Sequence, residues 1–232
     1  MKARAGDEGL DAVPPRAAGE VVLARHGQGE CNAAGLIGGR LGCRGLSPQG
    51  RTESRRLADR LAEMDAVRPF DALLSSPRPR VVECAGIIGA RLGRPVAAVD
   101  ALRGQEFGAA DGRPWAEVIQ GFGGRPAHDP QRPVAEGAEA WNVYADRVLA
   151  ALRLLLAQHA GERVLLIGHG KTTGLAGALL AGAPDPRSGA GPFVIGHGAL
   201  SVWRGGPDGW VLVVHDDVRH LVTSPAAATI PT

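Results

Sequence analysis

Apolar residues follow two rhythms that alternate along the chain. Short, nearly unbroken runs within Glu20 to Arg25, Phe70 to Ser76, Arg94 to Asp100 and Glu162 to Gly168 read as buried strands. Between them, apolar positions recur three or four residues apart, the spacing of one helix face. Leu57, Leu61 and Met64 form one such stripe, and Val81, Cys84, Ile87 and Ile88 a second. Trp141, Tyr144, Val148, Leu152, Leu155 and Leu156 form a third, and Leu175, Leu179 and Leu180 a fourth. Ser47-Pro48 supplies an N-cap and a first-position proline for the first helix. The second runs from Arg80 to Leu92, the third from Glu136 to about His159, and the fourth starts at Lys171. Residues 113 to 133 lack either rhythm and read as a loop or short-helix excursion. Phe193-Val-Ile195, Leu200 to Trp203 and Trp210 to His215 close the chain as strand-like runs, the last two separated by a glycine-rich turn. Strands alternating with helices predict an α/β fold, a mainly parallel doubly wound sheet with helices on both faces.

Length and composition narrow the partners. A chain of 232 residues with 44% hydrophobic residues fits one domain with a substantial core. Residues 1–18, rich in Gly, Ala and Pro and without an apolar h-region, read as a disordered leader rather than a signal peptide. Residues 19–222 form the domain and 223–232 a flexible tail. The net charge is +2 with acids and bases interspersed, which argues against nucleic acid, and no apolar run is long enough to cross a membrane. Cys31, Cys43 and Cys84 have no metal-ligand spacing and read as free thiols in a reducing cytoplasm. Lys2 and Lys171 are the only lysines, so Lys171 is the single one in the folded body.

The chemistry gathers where strands end. Arg25-His26-Gly27 closes the first strand, Arg80 opens the helix after the second, and His169-Gly170 follows the fourth. In an open α/β sheet, ligands bind at these carboxyl ends. Gln28 to Gly45 is a glycine-dense loop of the kind that covers phosphate sites. Two arginines, two histidines and helix-start amides make an anion site containing a nucleophile. A neutral imidazole attacks phosphorus while guanidinium groups neutralise the equatorial oxygens, with no metal or other cofactor required.

These motifs, in their order and spacing, resemble the histidine phosphatase superfamily, the phosphoglycerate mutase-like family, from about Glu20 to Leu221. Arg25-His26-Gly27 resembles its Arg-His-Gly signature, and Asn32 its phosphate-contacting asparagine. Gly38-Gly39 resemble its substrate-facing amides, Ser75 to Arg80 its second-arginine segment, and Gly168-His169-Gly170 its second-histidine segment. Glu139 and Arg147 stand where the family has a glutamate and a later arginine. The resemblance implies a phosphoglycerate mutase-like fold and a phosphatase acting on a small phosphorylated metabolite. His26 would form a phosphohistidine; Arg25, Arg80 and Asn32 would hold the phosphoryl group and His169 would stabilise its charge. Gly27, Gly38, Gly39 and Gly170 would contact substrate; Lys171, where the family usually has a small or polar residue, is the one lysine of the folded body and would read a second negative group of the substrate.

Several positions depart from the family pattern, Gly29, Ala110, Ala138, Ala140 and Lys171 mildly and one more strongly. The general acid is expected at Gly104, in Leu102-Arg-Gly-Gln-Glu-Phe-Gly108. Glu106 lies two residues on, and in an extended segment it would point the same way, so it is the expected substitute. A mutase, a weakened phosphate-ligand binder and an atypical lyase or isomerase remain alternatives. His197 and His215 read as structural, and the sequence leaves the oligomeric state open, a homodimer included.

Overall fold

A computed structural model describes residues 19–124 and 126–222; the leader and tail read from the sequence lie outside the described residues. Its strands are β1 (Glu20–Arg25), β2 (Ala72–Ser75), β3 (Ala97–Ala98), β4 (Arg163–Gly168), β5 (Leu200–Gly206) and β6 (Gly209–Asp217). They form one sheet in the order β3-β2-β4-β1-β5-β6. The first four strands in this order pair in parallel, and β5 and β6 add an antiparallel hairpin at one edge. The helices are α1 (Glu30–Ala33), α2 (Pro48–Val67), α3 (Pro79–Leu92), α4 (Trp115–Phe122), α5 (Trp141–Gln158), α6 (Gly170–Leu180) and α7 (Pro186–Gly189).

Strand alternation sorts the core into two layers. Val21, Leu23 and Leu166 point to one face and pack with α5 and α6 through Tyr144, Val148, Leu152 and Leu175. Val22, Ala24, Leu165 and Ile167 point to the other and pack with α2 and α3 through Leu57, Leu61, Val81 and Ile88. The sheet is therefore covered on both sides, as the unbroken apolar runs require.

Three boundaries differ from the sequence reading, and a fourth region is made definite. The third strand shrinks to two exposed residues at the sheet edge, just after Pro95, where a proline is tolerated. Helix α5 begins at Trp141 rather than Glu136, because Gly137 is left-handed at φ 70° and Glu139 is drawn into a side-chain network described below. Phe193 to Ile195 is not a strand: Gly191–Phe193 is a 3-10 turn, and the Phe193 ring packs 5.7 Å from that of Trp203. The excursion from 113 to 133 contains α4, ended by left-handed Gly123.

Topology positions the site. In the β1–β4 ladder Arg25 faces Gly168, so His26 and His169, one residue further on, emerge side by side. Ser76, just past the end of β2, donates its N–H to the Ile167 carbonyl at 3.1 Å and joins the same crevice. Gly27 lets α2 close over this end: a Cβ there would lie 2.2 Å from the Gly50 carbonyl oxygen.

Candidate active site

Arg80, the second residue of α3, bridges both imidazoles. Its Nε donates to His26 Nε2 at 3.0 Å, its Nη2 donates to His169 Nδ1 at 3.1 Å, and its Nη1 donates to the Gly38 carbonyl at 2.8 Å. A guanidinium can only donate, so both ring nitrogens it touches are acceptors. The protons therefore sit on the other two nitrogens. His26 Nδ1–H donates to the Gly27 carbonyl at 2.6 Å, and His169 Nε2–H donates to Ser76 Oγ at 2.8 Å. Both rings are neutral, and His26 presents an Nε2 lone pair to the cleft. The two rings stand edge to face, 5.4 Å apart.

A third imidazole, His197, completes the arrangement. Arg25 Nη2 donates to His197 Nε2 at 2.8 Å and Nη1 donates to the Ile195 carbonyl at 2.7 Å, which fixes the Arg25 guanidinium. The His197 ring lies 5.5 Å from that of His26. The structural role expected of His197 here takes a specific form: it anchors a site arginine. Nothing local in the sequence separates it from His215, because its importance depends on Arg25, 172 positions away.

Burial, reinforced by these arginines, holds His26, His169 and His197 below the usual histidine value, His197 at about 4. Burial and the charge of Arg80 lower Arg25 to about 10, so it stays cationic at neutral pH. In the unfolded chain the histidines take up protons near pH 6.5, whereas the folded site resists them. The unfolded state therefore binds more protons below that pH, and stability falls there by up to about 1.4 kcal/mol per pH unit per ring. The thermal midpoint is expected to drop progressively from pH 7 to pH 5; a level midpoint across that window would contradict neutral burial.

These groups line a cleft of about 400 Å³, which includes Arg25, His26, Asn32, Gly38, Arg80, Gly104, Gln105, Tyr144, His169, Gly170 and Lys171. Asn32 Oδ1 accepts from the Gly29 N–H at 3.0 Å, leaving its NH₂ group as the donor end. Gly170 opens α6 and lines the cleft, and a Cβ there would lie 3.1 Å from the Arg25 guanidinium carbon, so its helix-start amide lies on the cleft wall. Gly39 is different: its N–H donates to Asp111 Oδ1 at 2.8 Å, and the same carboxylate accepts from Leu41 and Gly42. Asp111, which the sequence reading missed, folds this loop and takes the Gly39 amide away from substrate. Gly27 acts through its carbonyl, which sets the His26 tautomer, and is not among the residues lining the cleft.

The Glu106 expectation is corrected by its partners. Its Oε1 lies 2.7 Å from Arg78 Nη2 and 3.4 Å from Arg103 Nε, and it does not line the cleft. A carboxylate paired with two guanidiniums outside the cleft cannot reach a leaving oxygen within it. The extended-segment argument fails because Glu106 is tied sideways. Its N–H donates to Glu139 Oε2 at 2.9 Å, and its carbonyl accepts from the Glu139 N–H at 2.9 Å. Glu139 in turn receives a two-pronged contact from Arg147, whose Nη1 also donates to the Ala101 and Arg103 carbonyls. This network fixes the 101–106 segment. Gly104 itself does face the site, since a Cβ there would lie 3.2 Å from His169 Nε2. Among the described residues, no group of three or more His, Cys, Asp and Glu side chains is arranged to hold a metal ion.

A chain of known type shares this arrangement of strands, as comparison with characterised proteins makes plain. Residues 21–218 match the sequence model of the histidine phosphatase superfamily (branch 1). The chain is 31% identical over 173 residues to a glucosyl-3-phosphoglycerate phosphatase of Mycolicibacterium vanbaalenii, covering 71% of this chain and 75% of that one. It is 27% identical over 208 residues to phosphoglycerate mutase-like protein 4 of Arabidopsis thaliana, covering 87% and 86%. The solved structure of a mycobacterial glucosyl-3-phosphoglycerate phosphatase superposes with a TM-score of 0.70 at 24% identity, covering 86% of this chain and 99% of that one. With the family model spanning the whole sheet, from β1 to the residue after β6, the chain belongs to the histidine phosphatase superfamily, branch 1.

Proposed function

We propose that this protein is a phosphatase that hydrolyses a phosphate monoester of a small metabolite through a phosphohistidine at His26. The observation that carries this reading is the His26 tautomer: the Gly27 carbonyl holds Nδ1–H, so the Nε2 lone pair faces the anion site. Arg25, Arg80 and Asn32 hold the phosphoryl oxygens, and exchange of the Arg80 N–H groups from imidazole to phosphate frees Nε2 to attack. The arriving phosphate dianion raises the proton affinity of His169, whose Nδ1–H then donates to a nonbridging oxygen. The guanidinium groups supply the positive charge that a loose phosphoryl-transfer transition state needs, so we assign no metal to the step. The cleft volume suits a metabolite rather than a phosphoprotein. A phosphatase name on one of the relatives above supports hydrolysis over transfer.

A panel of phosphorylated metabolites, each read for inorganic phosphate and for isomerised product, tests the assignment. Stoichiometric phosphate release from at least one small monoester is expected. Isomerised product without release would turn the reading to a mutase, and neither product across the panel would turn it to a ligand binder.

A further inference from the structure

Resting on the phosphatase reading, we propose that Lys171 is the proton donor to the leaving oxygen, in place of the carboxyl absent at Gly104. Two departures from the family pattern meet at one spot. Lys171, the second residue of α6, reaches into the cleft and its Nζ donates to Gln105 Oε1 at 2.6 Å. Gln105 directly follows Gly104, and its own Nε2 donates to the Glu139 carbonyl at 2.8 Å, which fixes the amide with its oxygen towards the lysine. The ammonium is thereby tied to the residue next to Gly104, and both Lys171 and Gly104 line the one cleft.

Its surroundings leave the proton available. The Nζ lies 5.2 Å, 5.5 Å and 5.6 Å from the ring centroids of Phe107, Trp115 and Trp141, and aromatic faces stabilise a cation without accepting its proton. Lys171 takes part in no ion pair with a carboxylate among the described residues. Burial lowers it to about 8, a value matched to proton donation near neutral pH.

Elimination points the same way. None of the residues lining the cleft is aspartate or glutamate. The guanidinium groups of Arg25 and Arg80 are donors that bind the phosphoryl oxygens; His26 is the neutral nucleophile, and the proton that His169 gains with substrate is committed to a nonbridging oxygen. The Tyr144 hydroxyl, pushed up to about 12 by burial, pairs with Thr172 Oγ1 at 2.9 Å. Lys171 is the remaining lining side chain that is both cationic at neutral pH and able to release a proton.

The step balances. His26 Nε2 bonds to phosphorus as the ester P–O bond breaks, and the Nζ proton passes to the departing oxygen, giving an alcohol and a neutral amine. Water then attacks phosphorus and gives one proton to that amine as the N–P bond breaks. Inorganic phosphate leaves, and neutral His26 and the ammonium are restored.

The test compares an alkyl ester, glycerol 2-phosphate, with p-nitrophenyl phosphate, whose leaving group needs little acid help. General acid assistance is typically worth about 10²- to 10⁴-fold, so the alkyl-to-aryl rate ratio is expected to fall by that order in Lys171→Met. Lys171→Arg keeps the charge but holds its proton too tightly to donate, so the ratio is expected to stay low there. An unchanged ratio in Lys171→Met, or a ratio restored in Lys171→Arg, would overturn the assignment, the latter in favour of a charge that merely binds substrate. If Lys171→Met loses aryl turnover altogether, Lys171→Ala with added ethylamine decides: recovered alkyl turnover supports the donor role and no recovery overturns it. Wild-type turnover of the aryl ester alone would defeat the proton donor but leave the phosphatase reading intact. Turnover of neither ester would defeat both.

Discussion

Replacing His26 with alanine is expected to lower phosphate release from any substrate by on the order of 10⁴-fold or more, the scale seen when a covalent nucleophile is removed. The expectation follows from position and protonation together. His26 is 2% exposed, its proton is committed to the Gly27 carbonyl, and its Nε2 faces the anion site as a lone pair. Alanine leaves Arg25, Arg80 and Asn32 able to bind phosphate, so affinity for a product such as inorganic phosphate is expected to persist while turnover disappears. Phosphate release against p-nitrophenyl phosphate, paired with inorganic phosphate binding by calorimetry, checks both halves. Retained turnover would remove His26 from the chemistry, and loss of phosphate binding would mean the substitution had collapsed the site.

Arg80→Ala carries the second largest effect. One guanidinium donates to His26, His169 and the Gly38 carbonyl, so its loss frees both rings and releases the loop at Gly38. Removing one preorganised donor to a developing oxyanion typically costs about 10²- to 10³-fold, and kcat/KM is expected to fall at least that far. A second readout follows from charge. Burial and then Arg80 hold His26 below the usual histidine value, so without Arg80 the ring takes up a proton at higher pH. The acid limb of the kcat/KM profile is therefore expected to move upward, towards pH 6.5, in Arg80→Ala. A large rate loss with an unmoved acid limb would show that Arg80 binds substrate without tuning the nucleophile.

What the sequence made legible was whatever depends on neighbours along the chain. Arg25, His26, Arg80 and His169 were found because each sits at a strand end or helix start, and parallel pairing of β1 with β4 brings the two histidines together. Helices on both faces followed from strands alternating with helices, and Val21 to Ala24 feed both of the resulting core layers. The misses share a different cause, contacts set by distant segments. Glu106 was expected to follow the i, i+2 rule of a strand, but Glu139 and Arg147 turn it towards Arg78. His197 gained its role from Arg25, and Gly39 lost its own to Asp111. Helix α5 was extended too far because Glu136 to Ala140 carries helix-forming residues, yet Gly137 adopts a left-handed φ and Glu139 bonds to the 106 backbone. Phe193 looked like a strand residue because it is apolar and flanked by glycine and proline; packing on Trp203 demanded a turn instead.

Arg78 adds a further case. It is 5% exposed and donates to the Gly104 carbonyl at 3.2 Å while pairing with Glu106. A buried cation with one carboxylate partner makes Glu106 a structural residue, because removing the partner would leave Arg78 charged and unpaired.

The central claim is that His26 Nε2 carries the phosphoryl group between substrate and water. It is tested most directly by rapid-quench mass spectrometry of the protein mixed with p-nitrophenyl phosphate and stopped in alkali. One phosphoryl group is expected on the peptide containing His26, stable in base, lost in acid, and formed and discharged at rates no slower than turnover. Steady phosphate release with no phosphoryl group on that peptide at any quench time, under conditions that preserve a phosphohistidine standard, would contradict the account.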